Sequence, residues 1–361
     1  MRGEAGCVVS LGTGASGTAE PHATTMPAAL ARRLLNDFQR DFPLVERPFA
    51  ALAATIGGTE EDVLATLHRF ASDGTVSRVG AVFRPGSVGA STLAAIAVPD
   101  ARLSAVAGIV SAYPEVNHNY EREHRLNLWF VVTAADGRRL AQILAAIELE
   151  TGLSVVSMPL VADYYIDLGF ALDGPRRKSP AARRRSDGPS PLALDASDRV
   201  LLAALQEGLP LVARPFEALA RRAGRREHGG EQDVLEKIIE WTDRGAIKRF
   251  GVIVRHRALG YVANAMCAWD VPAGETDRLG RRLARETAVT LCYRRARAGS
   301  AWPYNLFCMI HGRRRGDVEA EIAALSLRHG LAAYPHAVLF SRRAFKQRGA
   351  RYVEHVEAVH G

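Results

Sequence analysis

The stretch VNHNYEREHRLNLWFVV, residues 116–132, sets Asn117, His118, Tyr120, Arg122 and His124 directly ahead of an apolar run. Side chains of an extended chain alternate between two faces, so His118, Tyr120 and Arg122 share one. A planar guanidinium on that face can clamp a carboxylate or phosphate through two parallel hydrogen bonds. Histidine is the side chain able to hold or give up a proton near neutral pH. The triplet therefore suits an anionic ligand with a proton source beside it. A solvated edge strand accounts for any one of these residues taken singly. Recurrence argues against it, because LCYRRARAGSAWPYNLF, residues 291–307, carries Tyr293, Arg294, Arg295, Arg297, Trp302 and Tyr304 at the equivalent place further along.

Other routes to chemistry have no motif here. There is no P-loop, no GxGxxG following a strand and no GxSxG elbow, and no His or carboxylate spacing makes a persuasive metal site. Cys7, Cys267, Cys292 and Cys308 fall in no CxxC or zinc pattern. They read as reduced thiols, three of them in apolar surroundings, which sets a cytoplasmic compartment as the expectation. With 48% hydrophobic and 24% charged residues the composition is that of a soluble globular protein. No apolar run approaches the ~18 residues of a membrane span. The net charge of +8 is unevenly spread. Residues 1–170 carry 13 basic against 18 acidic side chains, residues 171–197 carry 6 against 3, and residues 198–361 carry 28 against 18. The basic excess of the second half attracts anions of any kind, nucleic acid or small polyanion.

The elements that must hold these residues come in two copies. FPLVERPFAALA (42–53) matches LPLVARPFEALA (209–220) at most positions, including Pro43/Pro210, Arg47/Arg214 and Phe49/Phe216. Further on, Gly74/Gly245, Arg78/Arg249, Gly80/Gly251, Arg84/Arg255 and Gly89/Gly260 stay in step. Repetition along the whole unit means two homologous halves. Within each, three short helical patterns precede a strand such as VSRVGAVF, which predicts a winged helix-turn-helix whose wing is a β-hairpin. The order βαββαβ follows, a ferredoxin-like sandwich. The expected fold class is α+β by tandem duplication. Its boundaries are a disordered leader over 1–28, with Met26 an alternative start, a winged helix-turn-helix over 29–90 and a ferredoxin-like domain over 91–170. A Pro-, Ser- and Arg-rich flexible linker covers 171–197, and the second copies cover 198–261 and 262–350, leaving a tail over 351–361.

This architecture resembles the Lrp/AsnC transcription regulators, so DNA binding has to be weighed. A recognition helix needs basic or amide side chains at its exposed start. TEEDVLATLHRFA opens instead with Glu60, Glu61 and Asp62, and EQDVLEKIIEWTDRG carries Glu231, Asp233, Glu236 and Glu240 against Lys237. Carboxylates suit a helix N-terminus but repel phosphates, which disfavours DNA as a partner. The phrases RPFAALA, SRVGAVFRPGSVGASTLAAIAVP, NHNYEREHRLNLWFVV and VTLCYRRARAGSAWPYNLFCMIHG resemble the siroheme decarboxylase family over about residues 30–170 and 195–350.

That resemblance implies a natural fusion of two subunits of the Lrp/AsnC fold. It implies non-oxidative loss of carbon dioxide from the C12 and C18 acetates of siroheme, giving 12,18-didecarboxysiroheme. LCYRR, with Leu291 in place of a histidine, points to the heme d1 route. Siroheme brings eight carboxylates and its own iron, so neither a separate cofactor nor an enzyme metal is expected. The expected roles are His118 or His124 as proton donor, Tyr120 on the reacting carboxylate, and Arg122, with Asn117 beside it, on a neighbouring one. Tyr293, Arg294, Arg295 and Arg297 would bind further carboxylates, with Trp302 packed on the ring. Arg78/Arg249 and Arg84/Arg255 are left between pocket and domain-docking roles, and His311 is read as a strand end. The two halves are expected to pack as an internal pseudo-dimer, with further homodimerisation open. The competing readings are an Lrp/AsnC-like regulator and a tetrapyrrole sensor.

Overall fold

The computed structural model describes residues 26–166, 169–170, 172, 191–225 and 230–353. Most of the expected leader, linker and tail lies outside these residues, but their edges belong to the fold. Met26 is buried, Leu192 and Leu194 pack on the same core, and Tyr352 is buried beside Phe83. Residues at the edges of the expected leader, linker and tail therefore pack with the fold, as far as Val353, whose carbonyl accepts from Gln206.

Each half opens with three helices, α1 (Ala28–Asp37), α2 (Pro48–Ile56) and α3 (Glu60–Ser72) in the first. Pro48 starts α2 with φ already set and Gly57 ends it in the left-handed region, while the Thr59 hydroxyl accepts the Asp62 N–H at the head of α3. A strand, β1 (Val76–Phe83), follows. The βαββαβ part is β2 (Ala90–Ile96), α4 (Leu103–Ala112), β3 (Val116–Arg122), β4 (Leu128–Ala134), α5 (Gly137–Thr151) and β5 (Val156–Ile166). The second half repeats this as α6 (Ala196–Gln206), α7 (Pro215–Arg222), α8 (Glu231–Asp243) and β6 (Ile247–Val254). It continues through β7 (Ala263–Trp269), α9 (Ala273–Leu283), β8 (Val289–Arg295), β9 (Leu306–Gly312), α10 (Arg315–His329) and β10 (His336–Gln347).

The wing differs from expectation. Among the described residues β1 and β6 make no wing hairpin within their own halves; β1 pairs antiparallel with β6 across the pseudo-twofold, Gly80 opposite Gly251. The reason is steric. The turn after α1 lies directly on Gly251, where Val252 N–H bonds the Phe38 carbonyl at 2.8 Å, and Gly208 lies on Gly80. Both helical units thereby share one apolar core running from Met26 to Tyr352.

The eight remaining strands close a barrel in the order β10-β3-β4-β2-β5-β8-β9-β7. Closure depends on two long strands. β5 pairs with β2 through Pro159 and then with β8 from Leu160 onward, and β10 pairs with β7 through Phe340 and then with β3 from Ser341 onward. Each half thus lends its last strand to the other. Helices cover the outside, and Trp129, Trp302, Phe307, Met158 and Leu339 fill one part of the interior.

A Cβ at residue 251 would stand 2.5 Å from the Gln39 carbonyl oxygen and 2.6 Å from that of Phe38, both backbone, whereas one at exposed Gly108 meets nothing within 4 Å. Gly251→Ala should destabilise by about 2–3 kcal/mol, and Gly108→Ala, in mid-helix, should stabilise by about 0.5–1 kcal/mol. Urea midpoints of the two variants check both signs.

Candidate active site

Strand β3 twists its two faces into different surroundings. Outward, Asn119 donates to the Ala107 carbonyl at 3.1 Å and Glu121 pairs with Arg343, so that face fastens α4 and β10. Inward, His118, Tyr120 and Arg122 line a cavity inside the barrel of about 780 Å³ including its mouth. Opposite them stand Tyr293 from β8, Met266 and Asn264 from β7, Met309 and His311 from β9, and His256 from the segment between β6 and β7. A second chamber of about 850 Å³ lies under the paired wing strands and shares His118, His256 and Gln347 with the first. Among the described residues neither chamber is lined by an aspartate or glutamate, while Arg78, Arg122, Arg249, Arg255 and Arg348 line one or the other.

The polar groups are held individually. Arg122 is buried, donates from Nη1 to the Leu339 carbonyl at 3.1 Å, and has no partner for Nε. Burial lowers its pKa, which marks a guanidinium whose charge lacks a counterion. Its charge lies 5.7 Å from the centre of the Tyr120 ring, which in turn stacks on His118 at 6.1 Å. Burial raises the Tyr120 pKa and keeps the hydroxyl protonated. Burial, then the charge of Arg78, pushes His118 down to about 4, and burial and Arg257 do the same to His256. Both rings are neutral at pH 7. His256 Nε2 accepts from Asn264 Nδ2 at 3.0 Å, which puts its proton on Nδ1. The Thr290 hydroxyl donates to the Met309 carbonyl at 2.9 Å, so its oxygen accepts from His311 Nδ1–H at 2.9 Å. His256 and His311 meet edge to face at 5.0 Å.

The expected site residues divide. His118, Tyr120, Arg122 and Tyr293 come together, and Asn117 lines the wing chamber while donating to Thr133 Oγ1 at 3.0 Å. Arg295 sits 4.7 Å over the Tyr293 ring and bonds the Met158 carbonyl, behind the cavity wall. The other four lie elsewhere. His124 turns its Nδ1 to the Leu126 N–H and its ring to Trp302. Arg294 faces outward to Asp277 at 3.0 Å, and Arg297 clamps Asp270 and the Val271 carbonyl. Trp302 is fully buried among Trp129, Tyr304 and Phe307, where it plugs the barrel. His124, Arg297 and Trp302 follow their strands rather than lie along them, and Arg294, on β8 next to Tyr293, falls on the opposite face of the strand. Arg84 takes the docking role, bonding Asp163 at 2.7 Å, with Lys248 on the same carboxylate. His311 is a cavity residue, not a bare strand end.

His256 was legible only by comparing the copies. FRPGSVG in the first half becomes VRHRALG in the second, so Pro85 and Gly86 stand where His256 and Arg257 do. Strand register gives the rest. His118 pairs with Val131 and Leu291 with Met309, which makes Leu291 the counterpart of His118, and Thr133 likewise answers His311. The Tyr–Arg pair is kept in both halves, while all three histidines converge on a single cavity.

Known proteins match this chain along its length. The model of the AsnC-like ligand binding domain matches residues 87–164 and 258–346, and that of the siroheme decarboxylase NirDL-like HTH domain matches 31–76 and 198–247. The siroheme decarboxylase NirDL subunit of Paracoccus denitrificans is 46% identical over 323 residues, 89% of this chain and 97% of that one. Separate NirD and NirL subunits of Stutzerimonas stutzeri match 41% and 43% of the chain at 49% and 46% identity, covering 97% and 89% of their own lengths. The crystal structure of siroheme decarboxylase NirDL in complex with an iron-uroporphyrin III analogue superposes with a TM-score of 0.63 at 28% identity, covering 90% of this chain and 93% of that one.

His118 and His256 stand near 4 when folded and revert to about 6.5 on unfolding. Between these values the unfolded chain binds protons that the folded chain refuses. The contribution of the neutral rings is therefore intact above about pH 6.5 and is lost as pH falls towards 4, by up to about 1.4 kcal/mol per pH unit for each ring. Urea unfolding at pH 7 and pH 5 should show a shallower loss in His118→Gln/His256→Gln than in the parent. Equal slopes would mean that the rings are not held neutral.

Proposed function

This chain belongs to the siroheme decarboxylase family of the fused NirDL type, and on that premise we propose how its cavity performs the reaction. The protein is a siroheme decarboxylase, a carbon–carbon lyase acting on the C12 and C18 acetates to give 12,18-didecarboxysiroheme on the route to heme d1. Iron enters as part of the substrate. The observation that carries the mechanism is a pair of adjoining chambers, the barrel cavity with three histidines and Arg122 and the wing chamber with four arginines, whose walls carry no carboxylate among the described residues.

Each turnover removes one carboxylate as carbon dioxide and consumes one proton, converting an acetate into a methyl group. Arg122, short of a counterion, holds a carboxylate next to the reacting one, and Tyr120 donates its hydroxyl to the reacting group. The apolar wall of Leu93, Leu291, Met266 and Met309 replaces water around that carboxylate and favours loss of its charge. As the carbon–carbon bond breaks, its electron pair passes to the methylene carbon and spreads into the conjugated ring. His118 delivers the proton there. In the empty cavity its ring is neutral, and the arrival of a polyanion raises its affinity for a proton, so substrate binding itself loads the donor. His256 and His311, held by Asn264 and Thr290, face the same space as further proton-holding groups. Leu291, Pro85 and Thr133 in the opposite copy cannot do this work, so both acetates react in one cavity and the singly decarboxylated tetrapyrrole re-seats between the two events.

Anaerobic incubation of the protein with siroheme, followed by mass analysis, should show loss of two carbon dioxide units. Tyr120→Phe should slow the reaction on the order of a hundredfold, while His124→Gln keeps the parent rate. Siroheme that binds but returns unchanged would leave a sensor in place of an enzyme.

A further inference from the structure

Resting on the reading above, the wing chamber poses a separate question. It adjoins the barrel cavity through His118, His256 and Gln347, yet its walls come from β1, β6 and the segment after β10 rather than from the barrel. Among the described residues Arg122 is the one arginine lining the barrel cavity, whereas four line the wing chamber. A substrate with eight carboxylates exceeds what the barrel can neutralise, and an enclosed arginine without a counterion is costly unless something anionic arrives.

Arg78 is the best placed of the four. It lies on β1, donates from Nη2 to the Ala81 carbonyl at 3.1 Å, and has no partner for its buried Nε. Two glycines make room for it. A Cβ at residue 349 would stand 2.6 Å from its Nη1, and one at residue 208 would stand 2.9 Å from its own Cβ. The carboxylate whose field reaches it, Glu207, is engaged with Arg351 at 2.7 Å. Its charge is felt by His118, which places the guanidinium and the proposed proton donor around the same space. In a winged helix that reads DNA such a residue would face outward to phosphate. Here the pairing of β1 with β6 turns it inward.

We infer that Arg78 is a positioning residue that holds a second, non-reacting carboxylate of the tetrapyrrole beneath the wing, thereby setting the acetate against His118. The wing is then part of the substrate site. The remaining arginines of the chamber form the surrounding positive wall.

The test uses the full chain and two probes, iron-uroporphyrin III with eight carboxylates and iron-coproporphyrin III with four, whose binding is followed by the tetrapyrrole absorption band. Arg78→Gln should bind iron-uroporphyrin III at least tenfold more weakly at an unchanged melting temperature, and Arg78→Lys should recover part of the loss. With siroheme, KM should rise more than kcat falls. A loss confined to iron-uroporphyrin III assigns the contact to an acetate, and a loss with both probes that lysine recovers assigns it to a propionate. Arg78→Gln binding iron-uroporphyrin III within twofold of the parent overturns the inference. So does a loss with both probes that lysine does not recover and that comes with a lowered melting temperature, since that describes a scaffold residue. Parent protein that neither binds iron-uroporphyrin III nor decarboxylates siroheme would sink the functional reading itself, before Arg78 is touched.

Discussion

The exchange of the last strand between halves is the constraint from which the site follows. β10 runs along β7 of its own sheet and then along β3 of the other, while β5 does the same between β2 and β8. Without those crossings the two sheets would present His118, Tyr120 and Arg122 to solvent on one edge, and Tyr293 on another. With them, a barrel closes and its inner face becomes a water-poor chamber. The same closure lets the segments flanking it, one carrying His256 and one carrying Arg348 to Tyr352, reach over the end of β3.

Charge is sorted by the same geometry. Among the described residues, several acids are occupied with bases outside the cavity. Asp163 takes Arg84 and Lys248, Glu231 takes Arg214, Glu60 takes Arg47, and Glu121 takes Arg343. Arg78, Arg122 and Arg348, which line the cavity, donate to backbone carbonyls instead. A site for a polyanion needs this asymmetry, because an arginine already neutralised by a neighbour has little to offer a substrate carboxylate. The acidic starts of α3 and α8 fit the same division. Their carboxylates hold Arg47 and Arg214, side chains that a DNA reader would keep for phosphate.

The duplication, the order of elements and the inward face of β3 were legible because helix caps, period-two alternation and repeated phrases are local properties. Those signals picked out His118, Tyr120, Arg122 and Tyr293, which line one cavity. They could not tell that Arg297 turns to Asp270 or that Trp302 plugs the barrel, since these depend on which segments lie next door, whereas alternation alone sets Arg294 on the face opposite Tyr293. The wing was misjudged for the same reason: among the described residues β1 has no partner strand within its own half, and its partner lies some 170 residues away in the register of Gly80 with Gly251. His256 stayed hidden because a lone histidine after a strand carries no signal until the copies are set side by side and Pro85 is seen in its place.

The central claim is that one cavity, with His118 as its proton donor, removes both carboxyl groups. Mass analysis of siroheme after anaerobic incubation with His118→Ala tests it most directly, provided the variant still binds the tetrapyrrole. Siroheme recovered with all eight carboxylates is the predicted result. A product that has lost one carbon dioxide would contradict the account, because it would require a second competent site or another donor for one of the two acetates.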